Sequence, residues 1–435
     1  MELPKKVFSG SDLDTSIYIL NKTASSDETV THILSVRDCC LTESAEWKRN
    51  ADVTKREWIE AGSKFSFDFD AAEARILSKI RQCSEPLQNS FDYSQGLVPY
   101  AREEFYRTMS KEQADRIVDE RVWHSDSQRT PEFKRELRGD DVDRYSVTWN
   151  GKQWIRYGPW LARPREARFF RVARVLIQEI TRGKTLRAGY TEEEYYNNPG
   201  IIIVTSKPGH TKNEQPSLSF LTALCNSSLF FFWHILNSPK AKLVTSIPKI
   251  LVEDVAGLPI RRIGFTASRK DRDSLLAKSK QLCQHGVANK NPAGVLAFVT
   301  EQLAAKLTDI VHDLLAFLAE QMAALNREQR AAAKQFLTDL KDFHGVDVHA
   351  LNPKTKLEKF WELETADVFA HFRTNKLRLK ESDEETIRTR FQSARDKVVP
   401  LNASLTFTDD LIDEIVFRLY GLTPDEIRIV KEASK

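Results

Sequence analysis

FKRELRGDDVDRYSVTWNGKQWIRYGPWLARPREARFFRVARVLIQEITRGKTL, residues Phe133–Leu186, followed after a short acidic turn by YYNNPGIIIVT, Tyr195–Thr205, sets the character of the chain. Within it YSVTW, QWIRY, RVLIQEI and IIIVT read as strands of a mixed sheet, because β-branched and aromatic residues dominate and Gly, Asn and Pro punctuate them. The apolar IIIV reads as a central strand, covered on both faces. Between Arg129 and Arg187 fifteen Lys/Arg stand against seven Asp/Glu, a surplus of eight. The whole chain carries only +3, so the remainder carries −5 (3 minus 8). Tyr145, Trp149, Trp154, Tyr157, Trp160, Phe169 and Phe170 lie among these cations. Cations alternating with flat rings suit a polyanion that also presents base edges, so DNA or RNA is the indicated ligand.

A chain of 435 residues has room for two or three domains with a substantial core. Its 41% hydrophobic and 29% charged content and mean hydropathy of −0.45 describe a globular protein, not a disordered or membrane one. Cys39, Cys40, Cys83, Cys225 and Cys283 form no Cys-x-x-Cys pair, which points to a reducing, cytoplasmic setting and no structural metal. The N-terminus has no signal-like apolar run. The uncharged stretch from Pro216 to Pro239 contains Asn226, Ser227, Ser228 and His234, too polar for a bilayer span, and reads as a buried helix.

Towards the N-terminus, Thr15–Leu20 and Val30–Val36 read as a hairpin with a long polar turn, one that needs further packing to be stable. Residues 37–64 read as a linker or exposed helical arm anchored by Trp47 and Trp58. Phe65–Asp70 alternates, and the spacing in Ala71–Arg81 predicts a helix. A second domain is expected from Leu87, with a charged helix over Lys111–Glu120. Towards the C-terminus, Leu218–Leu236 reads as a helix broken at Asn226-Ser227-Ser228, and Pro248–Pro259 as a strand and turn closing the domain near residue 265.

Beyond that point Leu303, Leu307, Ile310, Leu314, Phe317, Leu318, Met322 and Leu325 recur at three and four, predicting one long helix, Leu296–Leu340. Its apolar stripe suits either a bundle core or a seam for a partner. Its polar face, with Glu301, Lys306, Asp309, Glu320, Arg327, Glu328, Arg330 and Lys334, is mixed in sign, which argues against tracking DNA. After Gly345 three shorter helices are expected, including Leu411–Tyr420 capped by Gly421, with Thr423-Pro424 opening the last. The fold class is therefore α+β, a mixed-sheet domain followed by a helical C-terminal domain, in segments 1–86, 87–265 and 266–435.

The succession FKRELRGDDVDRY, W.IRYG.WLA.PRE.RFF, RVLIQEI, a Tyr-rich turn, IIIVT, FLTALCNSSL and a strand ending in GLPI resembles the TaqI-like DNA target-recognition domain. That domain lies C-terminal to the catalytic part of class I adenine-N6 DNA methyltransferases, including type IIG restriction–modification enzymes and related phage-defence methylases. The tail TFTDDLIDEIVFRLYGLTPDEIRIV resembles the C-terminal helices of the same family. The resemblance implies double-stranded DNA as one partner and a methyltransferase catalytic domain or subunit as another, with contact through helix 296–340 a further possibility and no membrane involved. Yet the chain has no Pro-Pro dipeptide, so the family's Asn/Asp-Pro-Pro-aromatic tetrapeptide for the flipped adenine is missing, as is a Gly-rich loop for S-adenosylmethionine. VFSGSDLDTSIYIL resembles the last strands of the catalytic sheet, so the chain is expected to begin after the chemistry. It would then be inert alone, without a cofactor of its own, and S-adenosylmethionine would sit on the missing half. A diverged but complete methyltransferase or nuclease, and a decoy subunit that pairs with a methylase, are the alternatives.

Arg138, Arg144, Arg163, Arg165, Arg168, Arg174, Arg182 and Lys184 are the candidate DNA-binding residues. Recognition needs cations on phosphates and Arg, Lys, Asn or Gln on base edges. Arg163 to Arg174, with Arg171 among them, lie in or just before a predicted strand, so alternation would put only some on one face. Arg182, Gly183 and Lys184 form a basic turn suited to a phosphate. Each arginine has an intradomain role open as well, with Arg165 beside Glu166 and Arg144 near Asp141 as possible pairs. LRGDDVDRY suits a structural role as readily as a binding one. Trp149, Trp154 and Trp160 read as core, and His124 as a satisfied structural histidine.

Overall fold

The computed structural model describes Ile17, Ile19 and residues 25–35, 48–60, 70–181, 185–209, 215–238, 241, 248–377 and 379–433. They fall into two compact units, one built from the described residues up to 85 together with 420–433, the other from 86–419.

In the first unit β1 (Val30–Ser35) pairs antiparallel with β2 (Lys48–Thr54), with an irregularity at Ile33/Leu34. The described partner of β1 thus comes from the segment read as a linker, while Thr15–Leu20, apart from Ile17 and Ile19, lies outside the described residues, as does Trp47. Helix α1 (Lys55–Glu60) brings Trp58 down onto Ile33 and Val53, which gives the small sheet a covered face. Asp70 caps α2 (Ala71–Cys83) by accepting from the Ala72 and Glu73 amides at 2.8 and 3.0 Å. The rest of the Phe65–Asp70 run lies outside the described residues. The terminal helix Pro424–Ala433 starts at Thr423-Pro424 as expected and is tied to α2 by Lys79, 2.6 Å from Glu426. Gly421, at φ 71°, turns the chain into it.

The second unit carries two four-stranded sheets. The first is antiparallel, built from β3 (Phe91–Gln95), β9 (Arg174–Gln178), β10 (Ala188–Thr191) and β12 (Ile201–Ser206) in the order β10-β9-β12-β3. The apolar IIIV run is a central strand, with five of the six β12 residues buried. The second sheet takes β4 (His124–Ser125), β5 (Phe133–Leu137), β8 (Trp154–Arg156) and β11 (Tyr196–Asn197) in the order β11-β5-β8-β4, with β11 parallel to β5. Leu137, Ile155, Phe170, Leu176, Tyr196 and Ile203 form one core between the two sheets. The charged helix α3 covers Lys111–Asp119, and a two-residue-strand hairpin, β6 (Val142–Asp143) and β7 (Ser146–Val147), carries the middle of the LRGDDVDRY block.

The strand read at RVLIQEI begins at Arg174, as expected; before it Arg163 makes an isolated bridge and α4 (Arg168–Arg171) is a single helical turn with Phe169 and Phe170 buried, so strand alternation does not govern the arginines at 163–171. Two expectations need correcting. Pro248–Pro259 contains a helical turn, Val252–Ala256, before the strand Pro259–Arg261. The long helix 296–340 is two helices, α8 (Ala293–Ala304) and α9 (Thr308–His344), preceded by α7 (Arg269–Asn289). The break falls at Lys306, which adopts φ 61°, while buried Asp309 accepts from the Thr266 and Ala267 amides at 2.9 and 2.8 Å and holds the new helix start. The apolar stripe is occupied within the chain: Ile310, Leu314, Leu318 and Met322 are buried where α9 packs on other helices. Among the described residues no single helix is long and apolar enough to cross a membrane.

The break in the uncharged helix is at Ser227, between α5 (Leu218–Asn226) and α6 (Ser228–Asn237), which meet at 69°. Asn226 is fully buried and bonds the Ala188 amide and carbonyl, fixing α5 to edge strand β10. After α10 (Thr365–Thr374), Leu411–Tyr420 proves to be the end of one 39-residue helix, α11 (Glu381–Leu419), with Pro400 inside it. The expected junction near 265 lies within this unit, for α9 packs on α5 and α11 reaches the β region through carboxylates. Asp413 accepts from the Ser228 amide and hydroxyl at 2.9 and 2.7 Å, and Asp409 holds Arg144 and the Tyr145 hydroxyl.

Burial pushes the Asp413 carboxyl up to about 6, against the opposing pull of the Ser228 hydrogen bonds. The folded chain therefore holds this proton more tightly than an unfolded aspartate, whose pKa is about 3.9, and Asp413 removes stability as pH rises from about 4 to about 6. Asp413→Asn should flatten the melting-temperature profile across that window relative to the wild type; two superimposable profiles would contradict the burial argument.

Candidate nucleic-acid interface

The first set of cations lies alongside residues 92–98, the end strand β3 and the residues just after it. Val98 and Arg163 exchange backbone hydrogen bonds at 2.9 Å, the Arg165 Nε reaches the Gly96 carbonyl at 3.4 Å, and Arg168 meets Asp92 at 3.0 Å. Descending partners Val98, Gly96 and Asp92 against ascending Arg163, Arg165 and Arg168 mean that residues 163–168 run antiparallel to the stretch 92–98, which holds β3 and the residues just after it. Three of the candidate arginines thus form one ribbon. Arg171 continues it, 3.2 Å from Glu194. Arg163 is paired with Glu104, and Arg168 also with Glu166 at 2.9 Å, so the expected Arg165–Glu166 pair is replaced by Arg168–Glu166. The Arg163 and Arg168 side chains are 55% and 43% exposed, and exposed pairs of this kind contribute only ~0.2–1 kcal/mol. Such guanidinium groups can exchange a carboxylate for a phosphate at little cost.

The second set stands on one face of the second sheet. The register pairs Arg135 with Trp154 and Phe133 with Arg156, and directly opposed residues share a face. The Arg135 guanidinium lies 4.5 Å from the Tyr195 ring and 5.9 Å from Trp149; that of Arg156 lies 4.4 Å from Trp160 and 5.9 Å from Trp123. Trp149 and Trp154 meet edge to face at 5.1 Å. Each arginine also has a carboxylate, Glu193 at 3.0 Å and Glu132 at 2.7 Å. Gly158 makes the Trp160 stack possible, because a Cβ there would come within 2.4 Å of the indole. The rings are half-buried, packing their inner sides on the core while the arginines cover them. Arg135 and Arg156 were absent from the sequence-derived set; the alternation in FKREL and WIR was the available signal, but the strand pairing that joins them was not.

The remaining candidates separate. Arg174 is 0% exposed and donates to the carbonyls of Val172, Glu193 and Tyr195 at 2.8, 2.9 and 3.0 Å, and burial lowers its pKa to about 10. It has no surface for DNA and works as an internal brace. Arg144 pairs with Asp409, not Asp141; burial opposes its charge, the neighbouring carboxylate outweighs that, and its pKa ends above the ordinary value. Its partner on α11 assigns it to packing. Arg138 is exposed and its guanidinium has no hydrogen-bond or ion-pair partner among the described residues, but it sits at the Gln178 end of β9, where Gly139 abuts the Gln178 side chain, away from Arg174 at the strand's start. Arg182 and Lys184, with Gly183, lie outside the described residues. His124 is structural, as expected: it bonds the Tyr100 hydroxyl at 2.8 Å and buried Glu136 at 3.0 Å, and Glu136 also accepts from Gln153 at 2.8 Å, which ties β4, β5 and the start of β8 together.

The region containing both cation sets, residues 134–260, matches the family model of the TaqI-like C-terminal specificity domain. Residues 134–260 form a TaqI-like specificity domain. A second family model, described only as a domain of unknown function, matches 308–416, from the start of α9 almost to the end of α11. No curated protein matches the chain. Two carboxylates facing the edge ribbon, Asp92 and Glu104, come from before the specificity domain, and the one holding Arg144 comes from the second matched region.

The division into internal and surface arginines has a direct stability test. Arg174→Met removes three part-buried hydrogen bonds from a charged donor, each contributing roughly 1.5–3 kcal/mol, and should lower the unfolding free energy by about 3 kcal/mol or more in chemical denaturation. Arg163→Gln, at an exposed ion pair, should leave it close to the wild type. Equal effects would contradict the assignment.

Proposed function

We propose that this chain reads double-stranded DNA sequence as the specificity part of an adenine-N6 DNA methyltransferase or restriction–modification system, type IIG-like and acting in phage defence. The observation that carries the proposal is the arginine ribbon Arg163–Arg165–Arg168–Arg171 within a TaqI-like specificity domain, running beside residues 92–98. Phosphate contacts by this ribbon would set register on the duplex without carrying sequence information. Base-edge reading then falls to groups such as Arg135 and Arg156, whose planar forks are held by aromatic stacking, and to the unpaired Arg138. In this reading the chain is catalytically inert alone, and a separate methyltransferase half holds S-adenosylmethionine and the flipped adenine.

Four ribbon contacts should contribute about −3.6 to the slope of log K against log salt for a duplex, from ~0.9 per phosphate. Combined Arg163→Gln, Arg165→Gln and Arg168→Gln substitution should make that slope shallower by about 2.7 while changing affinity alike for every duplex sequence. A salt-independent affinity in the wild type would overturn the proposal, and tight S-adenosylmethionine binding by the chain alone, measured by titration calorimetry, would overturn its inert character.

A further inference from the structure

Helix α9 carries a second line of cations outside the specificity domain. Arg327, Lys334 and Lys341 are spaced by seven residues, two helical turns, so they share a face and stand about 10.5 Å apart at 1.5 Å per residue. All three are exposed. Arg327 and Lys334 have no acidic residue three or four positions away on the helix and make no ion pair among the described residues, while Lys341 shares Asp347 at 3.0 Å in a pair that is 61% exposed on the lysine side. The mixed sign of the helix as a whole therefore conceals a single-sign line in its second half.

Arg330, between the first two of these cations, fixes where the line leads. It donates to the Thr148 hydroxyl at 2.9 Å and pairs with Asp143 at 3.2 Å, both in the β6–β7 hairpin region of the specificity domain. Four residues past Thr148 comes Lys152, exposed and without an ion partner among the described residues. A cleft of about 400 Å³ opens beside the line, with Lys334, Thr338 and Lys341 on the helix side and His349, Glu358 and Trp361 across from them. Thr338 and His349 add polar groups beside the cations, and Asp347 and Glu358 are the acids that oppose an anion there.

We infer that the Arg327–Lys334–Lys341 line of α9 is a phosphate-binding face for the same duplex, continuing the footprint from the Lys152 loop onto the domain of unknown function. The inference rests on the DNA reading given above. It assigns this helix a positioning task with no base readout, since phosphate contacts fix orientation without reporting sequence. Spacing of about 10.5 Å corresponds to about three base-pair steps along a duplex, so successive cations meet non-adjacent phosphates.

Fluorescence anisotropy of a 30-base-pair mixed-sequence duplex with the full chain, between about 50 and 200 mM salt, tests it. Arg327→Glu combined with Lys334→Glu should make the log K against log salt slope shallower by about 1.8, two contacts at ~0.9 each. Lys334→Gln alone should remove about half of that, and Glu358→Gln should tighten binding at low salt. These positions are exposed, so circular dichroism melts should coincide with the wild type. A double variant that melts normally and keeps the wild-type slope overturns this inference and leaves the DNA reading standing. A wild-type chain without duplex affinity overturns the DNA reading, and this inference with it.

Discussion

Asp409 and Asp413 stand one helical turn apart on α11, and both are held in surroundings that disfavour a bare charge. Each finds its partner on the β region: Arg144 and Tyr145 on the β6–β7 hairpin for the first, Ser228 at the start of α6 for the second. Arg330 of α9 grips the same hairpin from another helix. Removing one side of such a contact strands a poorly solvated charge, so the helical region and the specificity domain are joined by groups that neither can release cheaply. The LRGDDVDRY block, ambiguous as a sequence, is the joint.

Fixing that joint sorts the arginines into classes with different physical roles. Arg174 is a brace, its buried guanidinium tying together the backbone carbonyls of Val172, Glu193 and Tyr195. Arg144 is a fastener. Arg135 and Arg156 lie over tyrosine and tryptophan rings, which hold their guanidinium groups in place. Arg163, Arg165, Arg168 and Arg171 are surface groups along one strand edge, and those with carboxylate partners hold them only by weak exposed pairs. Only the last two classes remain available to a polyanion, and they belong to neighbouring elements of one domain.

The strands, the buried bent helix, the cap at Gly421 and the α+β class were legible because periodicity and punctuation are local properties. The charge surplus was legible only as a count. Its neutralisation depends on Asp92, Glu104, Glu193, Glu194 and Asp409, all outside the Arg129–Arg187 window, and pairings across that distance are set by the fold. The helical turn at Arg168–Arg171 was not legible for a related reason: the turn that buries Phe169 and Phe170 exists only against the completed core. In the same way the stripe from Leu303 to Leu325 keeps its period across the break at Lys306, because the helices on either side bury the same kind of face.

Arginine-selective chemical labelling, read by mass spectrometry with and without duplex DNA, addresses the central claim most directly. Arg163, Arg165 and Arg168 should lose reactivity when duplex is added, while Arg174 should be unreactive in both states because it is already enclosed. Unchanged labelling of the three ribbon arginines under saturating duplex would contradict the claim that this strand edge is where the chain holds DNA.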